Sequence, residues 1–164
     1  MTQAVSDTGP LLHLTEAGCF DLLESIGDLH APRQVIVEIA DLSPGWQTPK
    51  WLTVDDLKAP HAIEAVAWVR AGLLHGGEAE AIALVQQISA EWLLTDDAAA
   101  RLFATQLEIE VHGSLGIVLW AAVNGLLDHD AAERALLDLA SSSLWVTRSV
   151  LAEARSALDE IFRR

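Results

Sequence analysis

The chain has 164 residues, of which 51% are apolar, and 10 lysines and arginines stand against 24 aspartates and glutamates, a formal net charge of −14. These values predict one compact domain over residues 1–164. The negative charge excludes attraction of nucleic acid by the protein's overall charge, so binding of a polyanion would need a metal ion or a local basic patch. Cys19 is the only cysteine, which excludes an intrachain disulfide. With no visible signal peptide or membrane span, we expect a cytoplasmic protein.

Segments of strand type and of helical period alternate along the chain. Residues 3–6 predict a first strand, and Pro10 suits the first turn of the helix that follows. Further strands are predicted at 29–31, 51–54, 92–95 and 109–111, with a short edge strand at 145–146. Further helices are predicted over 19–26, from Pro32, from Pro60, and over 78–87, 98–106, 115–123, 128–140 and 148–164. The alternation predicts an α/β fold with a parallel sheet covered by helices on both faces.

Carboxylates follow two of the predicted strands directly. Asp7 comes after the first strand, and Asp96 and Asp97 come after the strand in WLLTDD. In an open parallel sheet the functional crevice lies beyond the carboxyl ends of the strands. We therefore expect these acids to meet at one edge of the sheet.

Two helical segments carry further acids that could reach the same edge. Glu38 lies in PRQVIVEIA, and Glu78 shares the inward face of its helix with Ile82, four residues on. Glu80 is two positions away and is expected to point elsewhere. Each acid also has a simpler interpretation, because acidic residues cap helices, complement helix N-termini or lie in solvent.

Several carboxylates without a nearby lysine or arginine raise one another's pKa values. A hard divalent cation removes that cost, and Mg²⁺ prefers oxygen ligands together with retained waters. Such a site can bind phosphate oxygens and activate water for in-line displacement. The histidines are scattered along the sequence, which argues against a zinc site.

Five sequence blocks resemble PIN domains in their order and spacing, specifically the branch catalogued as a domain of unknown function. They are VSDTGPLLHL, APRQVIVEI, GGEAEAIALV, WLLTDDAAARLFA and VHGSLGIVLWA. The resemblance covers roughly residues 4–127, with the helices of 128–164 expected to pack on that part. It implies a three-layer α/β/α sandwich with a central parallel sheet and hydrolysis of RNA phosphodiesters with Mg²⁺ or Mn²⁺. Many relatives are toxins of toxin-antitoxin pairs.

The resemblance also implies roles for individual acids. The four catalytic acids in chain order are Asp7, Glu38, Glu78 and Asp96, with Glu80 close to the spacing required of the third. The implied metal ligands are Asp7, Glu78, Asp96 and Asp97, the last directly or through water. Thr95 resembles a hydroxyl that supports this cluster, and it is also a candidate substrate-binding residue. Where many relatives carry Ser or Asn two positions after the first Asp, this chain has Gly9.

Substrate and partner contacts are less marked in the sequence. Arg33 and Arg101 are the cations nearest the expected edge, and Ser114 either caps its helix or binds a substrate phosphate at the helix N-terminus. The partners implied are RNA, a protein antitoxin and a second copy in a homodimer. The alternative is a PIN-like protein-binding or dimerisation module with a vestigial acidic pocket. Trp46 and Trp51 are candidates for a partner or substrate contact.

Overall fold

Five parallel strands form one sheet in the computed structural model, which describes all residues 1–164. The strands are β1 (Thr2–Ser6), β2 (Gly27–Pro32), β3 (Leu52–Asp55), β4 (Trp92–Leu94) and β5 (Glu110–His112). Their order across the sheet is β3-β2-β1-β4-β5, and each neighbouring pair is parallel. The chain thus builds the sheet outward from β1 in one direction and then returns to build in the other.

Helices cover both faces of this sheet. They are α1 (Thr8–Glu16), a 3₁₀ helix (Phe20–Ile26), α2 (Arg33–Leu42), α3 (His61–Arg70), α4 (Gly76–Ile88), α5 (Ala98–Gln106), α6 (Ser114–Val123), α7 (His129–Ala140) and α8 (Arg148–Arg163). No helix is both long and apolar enough to cross a bilayer.

Two hydrophobic clusters lie on opposite faces of the sheet, because successive side chains of a strand point to opposite sides. Ala4 belongs to a cluster of 20 buried residues that includes side chains of α1, α2, α6, α7 and α8. Val5 belongs to a cluster of 12 that includes side chains of α3, α4 and α5. This arrangement confirms the predicted three-layer α/β/α sandwich with a central parallel sheet.

The predicted strands and helices are present in the predicted order, with three local differences. The segment over 19–26 is a 3₁₀ helix rather than an α-helix. Gly27, which the sequence predicts as a left-handed stop of that helix, instead begins β2 with φ 141°, where a Cβ atom would overlap the backbone of Thr2. The predicted edge strand at Trp145-Val146 is wrong, because these residues lie in the loop before α8, which Thr147 caps.

The sheet order places the ends of β1 and β4 side by side. The chain continues from β1 to β2 on one side and from β4 to β5 on the other side of the sheet. The carboxyl ends of β1 and β4 therefore border the crevice in which open α/β sheets bind ligands. Ser6 pairs in register with Leu94, and the Asp7 N–H donates to the Leu94 carbonyl at 2.8 Å. Asp7 and Thr95 consequently emerge as neighbours from adjacent strands.

Candidate active site

An acidic cavity of about 680 Å³ opens at the carboxyl ends of β1 and β4. Its lining contains six carboxylates and neither lysine nor arginine: Asp7, Glu38, Asp41, Glu78, Asp96 and Asp97. Five of these are the acids expected from the sequence, brought together from four separate segments. Asp41 was not predicted, although it lies three residues after Glu38 on α2 and therefore on a neighbouring part of the same helix face.

Asp7 is buried at the base of this cavity, with 5% of its surface exposed. Its carboxylate accepts hydrogen bonds from the Thr8 N–H at 2.7 Å and the Thr95 hydroxyl at 2.9 Å. Burial raises the pKa of Asp7 from 3.8 to about 6, the two hydrogen bonds partly oppose this rise, and the charges of Glu38 and Asp97 add to it. Asp7 thus caps α1 and is also a buried carboxyl whose ionised form is disfavoured in the cavity.

Thr95 is fully buried beside Asp7. Its hydroxyl donates to Asp7 and accepts the backbone N–H of Asp97 at 3.2 Å. Asp97 in turn caps α5, because its Oδ1 accepts the Ala100 N–H at 2.8 Å. The hydroxyl of Thr95 is therefore engaged within the acidic cluster rather than directed at a substrate.

Glu38 connects three elements rather than lying free in solvent. One carboxylate oxygen accepts the Thr8 hydroxyl of α1 at 2.6 Å, and the other accepts the Gly77 N–H of α4 at 3.0 Å. A Cβ atom on Gly77 would overlap this carboxylate. Glycine at position 77 is therefore required by the close approach of Glu38 to the backbone.

Glu78, and not Glu80, faces the acidic cavity. The Glu78 carboxylate accepts the His75 N–H at 3.2 Å in the first turn of α4. Burial raises the pKa of Glu78 to about 7, and the charges of Asp97 and Asp7 add to the increase while the His75 N–H opposes it. Glu80 lines a separate cavity beside Asp56. The geometry thus favours Glu78 as the third acid.

Asp96 fixes the start of α6. Its Oδ1 accepts the Ser114 N–H at 2.6 Å, and its Oδ2 accepts the Ser114 hydroxyl at 2.6 Å and contacts His13 Nδ1 at 2.7 Å. Ser114 is fully buried, and both of its donors are directed at Asp96. This helix N-terminus therefore has no free Ser114 donor for a phosphate, contrary to one of the two interpretations of the sequence.

His13 is a cavity residue that the sequence interpretation missed. A Cβ atom on Gly9 would lie 3.3 Å from the Asp96 Cβ and 3.5 Å from His13 Cε1, so the His13–Asp96 pair occupies the space that a longer residue 9 would use. Gly9 and His13 are four residues apart on α1 and share one face. A glycine in the first turn of α1, followed by a histidine one turn later, is the pattern that could have indicated the position of His13.

The two predicted cations occupy different places. Arg33 is exposed, pairs with Asp56 at 2.7 Å and lines neither the acidic cavity nor its neighbour, so the structure does not bring it to the site. Arg101 lines a second cavity of about 390 Å³. This neighbouring cavity shares Asp96, Leu144 and Trp145 with the acidic one.

The donor set of the acidic cavity fits a hard divalent cation. Burial, and after it the charges of Glu38 and Asp97, raise the pKa of Asp7, and a bound metal would offset both effects. No three acidic, histidine or cysteine side chains are close enough together to hold an ion directly. Several of the carboxylate oxygens instead accept protein hydrogen bonds. Mg²⁺ suits such a site because it retains several waters and takes only one or two carboxylates.

Comparison with known families agrees with this geometry. Among curated proteins, none shows significant similarity to the chain. A family model described as a PIN domain, from the branch catalogued as a domain of unknown function, matches residues 3–160. The match extends beyond the resemblance expected from the sequence and takes in the C-terminal helices. The chain therefore belongs to the PIN-domain family, within a superfamily whose members are generally nucleases.

Proposed function

We propose that this protein is an endoribonuclease that hydrolyses RNA phosphodiesters with Mg²⁺ or Mn²⁺. The observation that carries the proposal is the cavity in which six carboxylates meet at the β1/β4 crevice without a lysine or arginine. Membership of the PIN-domain family supports hydrolysis of a nucleic acid. An acidic cavity on a protein of net charge −14 needs a cation before it can approach a phosphate.

The proposed ligands of the cation are Asp7, Asp96, Asp97 and Glu78, some of them through water. When bound, the cation supplies a Lewis acid for the phosphate oxygens and lowers the pKa of bound water. Thr95 holds the Asp7 carboxylate in place, and Glu38 joins α1 to α4 around it. Glu78, which lines this cavity, would reach the cation through a bound water and accept a proton from the attacking water.

The test is cleavage of a labelled single-stranded RNA by the purified protein with Mn²⁺ or Mg²⁺. We expect Asp7→Asn to abolish cleavage, because it removes the most buried carboxylate, while Asp130→Asn, an exposed acid on α7, leaves the rate unchanged. Cleavage that persists in excess chelator, or in Asp7→Asn, would overturn the proposal.

A toxin role and a protein-binding role form a second proposal. α3 and the turn after it expose large apolar side chains, including Ile63 at 67% exposure, Val66, Val69 and Leu73. A protein antitoxin or a second copy in a homodimer would bury this surface. If the acidic pocket is vestigial, calorimetry will detect no Mg²⁺ binding, while Ile63→Asp will still abolish self-association measured by analytical ultracentrifugation.

A further inference from the structure

The loop between α7 and α8 forms a wall between the acidic cavity and its neighbour. Leu144 and Trp145 of this loop line both cavities. Asp96 is the third residue that the two cavities share. A ligand that extends from the acidic cavity into the second one must therefore pass Trp145.

Trp145 differs from the other five tryptophans of the chain. Those five are partly buried and pack against the two hydrophobic clusters. Trp145 is 86% exposed and has no aromatic neighbour. Folding gains little from an indole left in water, so core packing does not explain this side chain.

The exposed indole stands on a loop that is held at several points. Ser143 donates to the Glu16 carboxylate of α1 through both its hydroxyl and its N–H, the latter at 3.3 Å. The Leu144 N–H donates to the Ser142 hydroxyl at 3.2 Å, and the Leu144 side chain packs against the larger cluster. The loop thus presents Trp145 from a fixed base, which lowers the entropy lost when a ligand covers it.

Arg101 is the only lysine or arginine that lines either cavity, and it forms no ion pair within the protein. Its guanidinium lies against Gly113, where a Cβ atom would be 2.7 Å from Nη2. An unpaired guanidinium and an exposed indole therefore border the same small cavity, next to the carboxylates. A flat π-surface beside a cation matches the base and the phosphate of a single-stranded nucleotide.

We propose that Trp145 stacks on a nucleobase of single-stranded RNA while Arg101 binds a phosphate of the same strand, beside the acidic cavity. The inference rests on the proposed ribonuclease function, since it places the strand relative to the acidic cavity. Stacking requires an unpaired base, so a fully paired duplex cannot use this contact. Trp145 and Arg101 would then select single-stranded over duplex RNA, while the acids act on the phosphodiester.

The test measures binding of a fluorescent single-stranded RNA with hydrolysis-resistant linkages by anisotropy, with Mg²⁺ present. We expect Trp145→Ala to weaken binding roughly 5- to 150-fold, the range found for lost base stacking, and Trp145→Phe to restore most of the affinity. Arg101→Ala should weaken binding and reduce its salt dependence. Val123→Ala, also an exposed apolar residue, is the matched control and should bind like the parent.

An oligonucleotide series with one abasic position identifies the stacked base. We expect one abasic position to lower affinity for the parent and to have no further effect in Trp145→Ala. RNA affinity unchanged by Trp145→Ala would overturn the inference and would point to a protein partner on this loop, and absence of any RNA binding would overturn it as well. If the natural protein fails to cleave RNA but binds it through Trp145, the ribonuclease proposal fails and this inference stands.

Discussion

Replacing Asp7 by asparagine should stabilise the metal-free protein, although it should abolish cleavage. The pKa of Asp7 rises from 3.8 to about 6 on folding, chiefly through burial. Between about pH 4 and about pH 6 this carboxyl is largely ionised in the unfolded chain but still largely protonated in the folded protein. The free energy of unfolding therefore falls as the pH rises through this range. At neutral pH this loss amounts to about 3 kcal/mol.

An asparagine at position 7 removes the buried charge and retains both hydrogen bonds. Its amide oxygen can accept the Thr8 N–H, and its amide nitrogen can donate to the Thr95 hydroxyl, which now rotates to accept. We therefore expect Asp7→Asn to raise the free energy of unfolding by up to about 3 kcal/mol at about pH 7.5 and by about half as much at about pH 5.

The assay is urea unfolding in excess chelator at both pH values, followed by circular dichroism. Asp130→Asn is the control and should change the free energy of unfolding by less than about 0.5 kcal/mol. Added Mg²⁺ should stabilise the natural protein and leave Asp7→Asn unaffected, because a ligand stabilises only the folded state that binds it. A metal-free Asp7→Asn protein that is less stable than the natural one, or a difference independent of pH, would refute the reasoning.

Three further substitutions separate the roles of residues around the cavity. Gly77→Ala should lower the free energy of unfolding by about 1–3 kcal/mol, because the new Cβ atom would overlap the Glu38 carboxylate of α2. Gly116→Ala is the control, since its Cβ atom would meet no other atom, and equal losses for both variants in urea unfolding would contradict this reasoning. Asp96→Asn should lower the thermal midpoint, since an amide nitrogen would face donors, and a raised midpoint would be inconsistent with its anchoring role. In the RNA cleavage assay, Glu78→Gln should reduce the rate about 100-fold, because Glu78 lines the acidic cavity, and Glu80→Gln should reduce it by less than about twofold. Similar losses in both variants would contradict the assignment of Glu78 as the third acid.

The sheet and most of the acidic cavity could be predicted because they depend on patterns local in the sequence. Strand and helix periods alternate clearly, and parallel strands bring their carboxyl ends to one edge. Asp7 and Asp96 follow strands directly, so their convergence requires only the sheet. Glu78 could be separated from Glu80 by helix periodicity, and the structure agrees.

The remaining site residues depend on contacts between distant segments, which periodicity does not encode. His13 pairs with Asp96 across 83 positions of sequence, and Ser114 is turned inward by the same carboxylate. Arg33 does not line the acidic cavity, and its side chain pairs instead with Asp56 in the loop after β3. Tryptophan and valine at positions 145 and 146 favour a strand. Thr147 caps the helix that follows, so Trp145 lies in the loop before it.

The anchored loop before α8 keeps the proposed base-stacking residue apart from the acids in the chain. The acids follow β1 and β4 or lie on α2 and α4, whereas Trp145 lies in a connection near the end of the chain. We expect changes at Trp145 to leave the sheet and its carboxylates in place, because its side chain is exposed. Related chains could therefore diverge in their preferred targets through this loop while keeping the same chemistry, and exchanging the loop between relatives is a direct way to engineer that preference.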